Sequence, residues 1–208
     1  MRECCRGPEP ELLASHGAEL GAEYARRRRE DSTYRFQWPR RGGQSLYEIA
    51  RTALAEMTSE RCSYCDGYPV SATGKEEIDH FRPKTRAEFY ELVCAWDNLF
   101  FICTSCNGAK RDEWDPSLLR PDDSEYRFDH YFLFNFETGA LEPAPDIAPA
   151  QRHRAQRTIE ILDLNRVGAC TARLFAIRTI RRRESDDELA DVAYRFLIPL
   201  VAGPLVAP

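Results

Sequence analysis

No stretch of this 208-residue sequence approaches the roughly 18 to 20 consecutive apolar residues of a membrane span. Nor does it open as a secretory signal would: MRECCRGPEPE has no apolar core after its basic residue. No membrane partner is expected, and a cytoplasmic location is the default. No internal repeat is visible. Net positive charge is also missing, the formal charge being −5. That weighs against a dedicated nucleic-acid coat protein, whose affinity comes from neutralising phosphates. It does not weigh against an enzyme, which needs positive charge only near the reacting bond. The positive charge present is clustered at Arg26 to Arg29, at Arg40 and Arg41, and at Arg181 to Arg183. Taken singly, each cluster reads as a solvated helix face.

With 43% hydrophobic and 30% charged residues, the chain reads as soluble and globular, one ordinary domain with extensions. Residues 1–44 read as an irregular N-terminal extension, with a helical stretch from about Ala18 to Glu30. Residues 45–125 form the motif-bearing core. Ser45 caps a helix with Leu46, Ile49, Ala50, Ala53, Leu54 and Met57 on one face. Residues 126–208 form a C-terminal strand and helical region, expected to bind a partner. It holds a short strand, Tyr131 to Phe136, and a turn at Gly139. Two helices follow, marked by Ile159, Leu162 and Leu164, then by Leu174, Ile177 and Ile180. Leu189, Val192, Ala193 and Phe196 mark a third, capped by Ser185 with Glu188 at the capping-box position. The apolar tail from Leu197 to Pro208 is short and broken by three prolines. It reads as a docking strand, a disordered end or a partner contact.

Eight cysteines in a chain without a signal peptide point to metal before disulfides. Cys62-Ser-Tyr-Cys65 and Cys103-Thr-Ser-Cys106 are two C-x-x-C pairs. Each places two thiolates on a tight turn, and two pairs complete a closed structural zinc site. The stretch between them, Asp66 to Ile102, is longer than in a simple zinc ribbon, so something folded sits inside it. Core cysteines or a redox pair would explain one such pair, but two favour zinc. Cys94 and Cys170 read as small core residues. Cys4 and Cys5, in an end expected to be mobile, are assigned no role.

Inside the zinc loop lies Glu77-Ile78-Asp79-His80-Phe81-Arg82-Pro83-Lys84. Ile78 and Phe81 suggest a strand that Pro83 stops. Trp96-Asp97-Asn98-Leu99 follows, then Phe100 to Cys103 as a buried strand or helix lead-in. Cys106-Asn107-Gly108-Ala109-Lys110 reads as the first turn of a helix.

The order D-H, then N, then C-N-x-x-K, interleaved with the cysteine pairs, resembles the HNH (ββα-metal) nuclease superfamily. Within it the chain resembles the HNH subunit of Septu-type and retron-associated anti-phage systems. That resemblance rests on CSYCDG, IDHFRPK, WDNLFFICTSCNGAK, FNFETGALEP and TIEILDLN followed by Arg173, and covers roughly residues 45–180. It implies an α+β fold: a zinc-stapled ββα-metal HNH core flanked by N-terminal and C-terminal helices. It implies that His80 is the general base, a role suited to a neutral imidazole near pH 7. Asp79 and Asn107 match the positions that hold one divalent cation against the scissile phosphate. Both offer hard oxygen ligands, so Mg²⁺ or Mn²⁺ is expected there. Asn98 matches the middle asparagine, expected to fix the loop carrying His80. Lys110, with Arg82 and Lys84, would contact the phosphate. The partners implied are a DNA substrate and an ATPase, with a retron reverse transcriptase and its DNA as further candidates; RNA and tRNA stay open as substrates.

Blander readings stand beside these. Asn98 alone is a turn residue and Asn107 a helix cap. Trp96 reads as core, and His130 and His153 as surface or structural residues. Asp97 and Glu77 are near enough to reach the metal but are not assigned to it. Three functions are carried forward. The first is a DNA endonuclease. The second is a catalytically silent, zinc-stabilised module that binds nucleic acid or protein. The third, compatible with the first, is a toxin-like effector held silent by its partner. A complete Asp79, His80 and Asn107 set favours an enzyme.

Overall fold

The computed structural model of the chain describes residues 1–182 and 189–202. Helix α1 (Glu11–Glu30) starts directly after Pro10, with Glu11 in its first turn and Arg27, Arg28 and Arg29 in its last. Those charges oppose the helix dipole in the stabilising sense at both ends. Its buried face is Leu13, Gly17, Leu20, Gly21, Tyr24 and Ala25, a helical spacing in which two members are glycine. The helix therefore begins seven residues before the expected Ala18. Glycines do not register as apolar in a periodicity reading, yet here they are the contact. A Cβ on Gly21 would meet the Glu91 carbonyl, and one on Gly17 would lie 3.1 Å from that of Cys94.

A small ribbon of β1 (Arg40–Arg41) and β2 (Gln44–Ser45) leads into α2 (Leu46–Thr58). Ser45 Oγ accepts from the Glu48 amide, so α2 starts where its cap residue predicts. After the one-turn helix α3 (Val70–Thr73) comes strand β3 (Glu76–His80). It pairs antiparallel with β4 (Leu99–Cys103), His80 opposite Leu99 and Glu76 opposite Cys103. All five residues of β4 are buried, and α4 (Thr104–Lys110) follows without a linker. Two 3₁₀ turns, Ala87–Leu92 and Trp96–Asn98, fill the connection between the strands.

The C-terminal region adds α5 (Phe128–Tyr131) and a hairpin of β5 (Phe132–Phe134) and β6 (Leu141–Pro143). Then come α6 (Pro149–Ile161), α7 (Val167–Arg182) and α8 (Ile198–Ala202). Arg173 on α7 is fully buried. It donates to the carbonyls of Gly139 (3.0 Å) and Leu164 (2.5 Å), while Asn165 bonds both backbone groups of Leu141. These bonds tie the hairpin to the α6–α7 corner. One continuous apolar core runs through all three segments, from Leu13 to Leu54, Phe100, Leu164 and Phe196.

Three expectations change. Strand β5 is shorter than Tyr131 to Phe136, because Tyr131 ends α5 and Asn135 turns the chain, its Oδ1 accepting from the amides of Glu137 and Thr138. The third C-terminal helix is absent over 190–194, although Leu189, Val192 and Phe196 are buried as expected. The Arg61 guanidinium takes the carbonyls of Ala190 and Val192, and Tyr194 adopts a left-handed φ of 58°. The proposed cap, Ser185 with Glu188, lies outside the described residues, as do Arg183, Pro204 and Pro208. The described part of the tail is helical, with Leu197 and Ile198 buried. Finally, residues 1–9 are packed rather than loose. Arg6 donates to the carbonyls of Trp96 and Leu99 (both 2.8 Å) and pairs with Asp122, and the Cys4 amide donates to Pro121.

Gly21→Ala forces α1 away from the Glu91 backbone. The expected cost is about 1–3 kcal/mol, the range for overpacking a close contact. A lowered urea midpoint with unchanged slope would show it; an unchanged midpoint would mean that α1 does not pack this closely.

Candidate functional site

The four cysteines meet where β4 ends and α4 begins. All are buried, and the sulfurs of Cys62, Cys65, Cys103 and Cys106 lie within 4.8 Å of one another. Cys65 Sγ and Cys103 Sγ are 3.8 Å apart. A tetrahedral zinc with Zn–S bonds of about 2.3 Å puts its sulfurs about 3.8 Å apart, so the donor set and its spacing fit zinc. Hydrogen bonds from the neighbouring thiols, Cys103 first, already hold Cys65 well below the ordinary thiol value. The Arg166 guanidinium lies 3.7 Å from Cys106 Sγ, a cation placed against a thiolate cluster. Nothing in the sequence marked Arg166, which reaches the cluster from the corner before α7.

A cleft of about 350 Å³ opens on the other side of β3, lined by Glu77, Asp79, His80, Lys84, Asn107 and Arg111 among others. His80, the last residue of β3, is buried. Its Nε2 lies 2.9 Å from the Val93 carbonyl, which can only accept, so Nε2 carries the proton. Nδ1 is left with its lone pair, and Lys84 Nζ approaches it at 3.4 Å. Burial, and after it the Lys84 charge, pushes the imidazole down to about 3, so His80 is neutral at pH 7. Trp38 covers the ring, stacked at 6.4 Å between centroids.

Asn98 sits behind this loop, fully enclosed. Its Oδ1 accepts from the Arg82 amide (2.8 Å), and its Nδ2 donates to the Arg82 and Leu92 carbonyls (3.1 and 3.2 Å). Asn98 thus bonds the backbone two residues after His80. From α1, the Tyr24 hydroxyl donates to the Lys84 carbonyl and holds the far end of the same loop.

Asp79 points away from His80, as alternation on a strand requires. Its carboxylate accepts from the Tyr64 hydroxyl (2.5 Å) and from Lys110 Nζ (3.1 and 3.0 Å). Lys110 is 0% exposed and also donates to the His80 carbonyl. It therefore faces the strand from inside α4, not the cleft surface. The Asn107 amide donates to the Glu77 carboxylate across the same strand–helix gap. Among the three residues expected to touch phosphate, Lys84 lines the cleft and Arg82 and Lys110 do not. Three charged liners were not assigned from sequence: Glu77, two residues before Asp79 on the same face, and Arg111 and Asp112, the two residues past α4. The alternation Glu77-x-Asp79 was the available signal for the first. Trp96 is core, donating from Nε1 to Gly7; His130, His153 and Asp97 are on the surface.

No family model matches the chain. Among curated proteins, 80 residues are 31% identical to "Septu protein PtuB" of Bacillus mycoides (strain KBAB4), covering 33% of this chain and 27% of that protein. A longer match of 148 residues, 70% of this chain, is 25% identical to "Septu protein PtuB" of Bacillus thuringiensis, of which it covers 52%. The chain is a relative of the Septu PtuB proteins. It spans about a quarter and about half the length of these two PtuB proteins.

Two outcomes test the site. Cys65→Ser should lose bound zinc and with it the cooperative unfolding transition, because metal binding energy is folding energy in such sites; a stable, zinc-free variant would remove the clamp. Lys110→Met leaves Asp79 buried without its counter-charge and should cost about 3–5 kcal/mol in denaturant titration. A change below about 1 kcal/mol would show the pair to be solvated, as exposed pairs are.

Proposed function

We propose that the chain is an HNH endonuclease that hydrolyses phosphodiester bonds of DNA, working as the effector subunit of a Septu-type anti-phage complex with an ATPase partner. The observation that carries this reading is the state of His80. Its Nε2 proton is committed to Val93, and its Nδ1 lone pair looks into an open cleft beside a lysine. That is the arrangement a general base needs: a fixed ring, a fixed tautomer and an acceptor nitrogen held only by a lysine side chain. The surrounding order of strand, strand and helix, with Asn98 pinning the loop, supports an HNH core within residues 45–125.

In this reading His80 Nδ1 takes the proton of the attacking water. Lys84, which occupies Nδ1 here, shifts to a phosphate oxygen when substrate enters. Asp79, Asn107 and the neighbouring Glu77 supply the oxygens that would hold Mg²⁺ or Mn²⁺. Such an ion, when bound, stabilises the charge that builds on the phosphate and the leaving oxygen. Every large hydrophobic residue exposed among the described residues lies in 126–208: Leu133, Phe136, Val167, Phe175 and Leu200. Val167 is 84% and Phe175 59% exposed, which supports assigning this region to partner binding.

One observation favours the second reading, a catalytically silent module: both oxygens of Asp79 are already engaged by Lys110 and Tyr64. A cleavage assay with the partner ATPase present separates the two. His80→Ala should lower Mg²⁺- or Mn²⁺-dependent DNA cleavage by about a hundredfold or more, with zinc content and fold retained. A variant cutting at the wild-type rate removes His80 as the base, and a wild-type complex inert on DNA and RNA alike leaves the silent module.

A further inference from the structure

A second cavity, of about 240 Å³, lies against the outer side of the cysteine cluster and shares no lining residue with the His80 cleft. Three arginines line it: Arg2 from the N-terminal segment, Arg61 from the approach to Cys62, and Arg195 from the turn before α8. Two acids, Glu3 and Asp66, line it as well. Glu3 is spent on the Phe128 amide. Among the described residues neither Asp66 nor any of the three arginines makes an ion pair within 4.0 Å, and the buried Met1 ammonium is the first charge acting on Asp66. Burial, and after it the Arg2 charge, brings Arg195 down to about 10.

Several polar atoms around this space are unused, although the terminal nitrogens of Arg61 hold the Ser59, Ala190 and Val192 carbonyls and one of Arg195 holds that of Thr58. Ser63 Oγ, Arg61 Nε, Arg195 Nε and Asp66 Oδ2 are all buried and without a hydrogen-bond partner, and Ser63, Arg61 and Asp66 are each more than nine-tenths buried. Arg2 has no hydrogen-bond or ion-pair partner among the described residues. Buried polar atoms left unpaired cost on the order of 1–3 kcal/mol each, so four around one cavity mark a place where something else completes the bonding.

The set has a specific chemistry. Three guanidiniums and a hydroxyl donate, which suits an oxyanion. A single carboxylate accepts, which would repel a fully deprotonated anion but suits one that carries an O–H. A hydrogenphosphate, or a phosphate monoester in its protonated form, offers both. We propose that this cavity is a site for a phosphate group carrying an O–H, in which Arg2, Arg61 and Arg195 hold the anionic oxygens, Ser63 donates its hydroxyl and Asp66 accepts the P–OH. The ligand is either free phosphate or the terminal phosphate of a nucleotide strand. The site does not depend on the nuclease reading, and its test involves no cleavage.

The test is titration calorimetry on the full, zinc-loaded chain, with inorganic phosphate, sulfate, and a thymidine dinucleotide with and without a 5′-phosphate. Phosphate should bind saturably at one site. Arg2→Gln and Arg195→Met should each weaken it about tenfold or more, with zinc content and circular dichroism unchanged. Arg61 is left intact because it also holds the Ser59, Ala190 and Val192 carbonyls. Sulfate, which has no O–H at neutral pH, should bind more weakly than phosphate to the wild type and gain on Asp66→Asn. Asparagine tolerates the left-handed backbone of that residue (φ 60°). Tighter binding of the 5′-phosphorylated dinucleotide than of phosphate identifies a strand end as the ligand; the reverse identifies the free anion. Absence of saturable phosphate binding to the folded wild type, or binding that neither arginine variant changes, overturns the proposal.

Discussion

A two-stranded antiparallel hairpin is too small to hold its own shape in water. The candidate active site nevertheless hangs on one, β3 paired with β4. What holds it is attached at its ends and back. At one end, Cys103 closes β4 and joins the Cys62–Cys65 turn, so the sulfur cluster fixes where the hairpin meets the start of α4. At the other, Asn98 bonds the backbone of Arg82 and fixes the loop leaving His80. Behind, α1 lays two glycines against the same connection and bonds Lys84 through Tyr24. Each device acts on backbone, so together they set the position of the histidine without touching its ring.

The contrast between the two faces of β3 follows from that rigidity. His80 turns toward the cleft with one nitrogen met only by Lys84, while Asp79, one residue earlier, turns toward α4 and bonds Tyr64 and Lys110. Strand alternation alone produces this split. The buried ion pair joins strand to helix. A buried pair of this kind is weak evidence for net stability, but breaking it by removing either member is costly.

What could be read from sequence was what chemistry places close along the chain. The C-x-x-C pairs bring two sulfurs together by local geometry, and the cluster follows. Ser45 capped α2, and a five-residue apolar run became a fully buried β4. What could not be read depends on contacts distant in sequence. The start of α1 is set by glycines pressed against Glu91 and Cys94. The loss of helix over 190–194 goes with Arg61, more than a hundred residues earlier, which takes the carbonyls of Ala190 and Val192 that a helix would use. Lys110 looked like a phosphate contact because it follows Asn107 at helical spacing. Its direction is decided by the charge of Asp79 across the interface. The packing of residues 1–9 was likewise invisible, since Arg6 finds its partners near residues 96–99 and 122.

Charge at the cleft bears on how such a site would meet DNA. Glu77, Asp79 and Asp112 line it against Lys84 and Arg111, with Lys110 behind Asp79. The balance is close to neutral, in a chain whose formal charge is −5. A phosphodiester approaching this surface gains little from phosphate neutralisation, the term that dominates nucleic-acid affinity. On the nuclease reading, the missing positive charge must come from a divalent cation held by the oxygens of the cleft and from a partner that brings the strand to it. The apolar side chains exposed on the C-terminal region then have a physical reason to be there. They offer binding energy to a protein, which the catalytic face cannot offer to a polyanion.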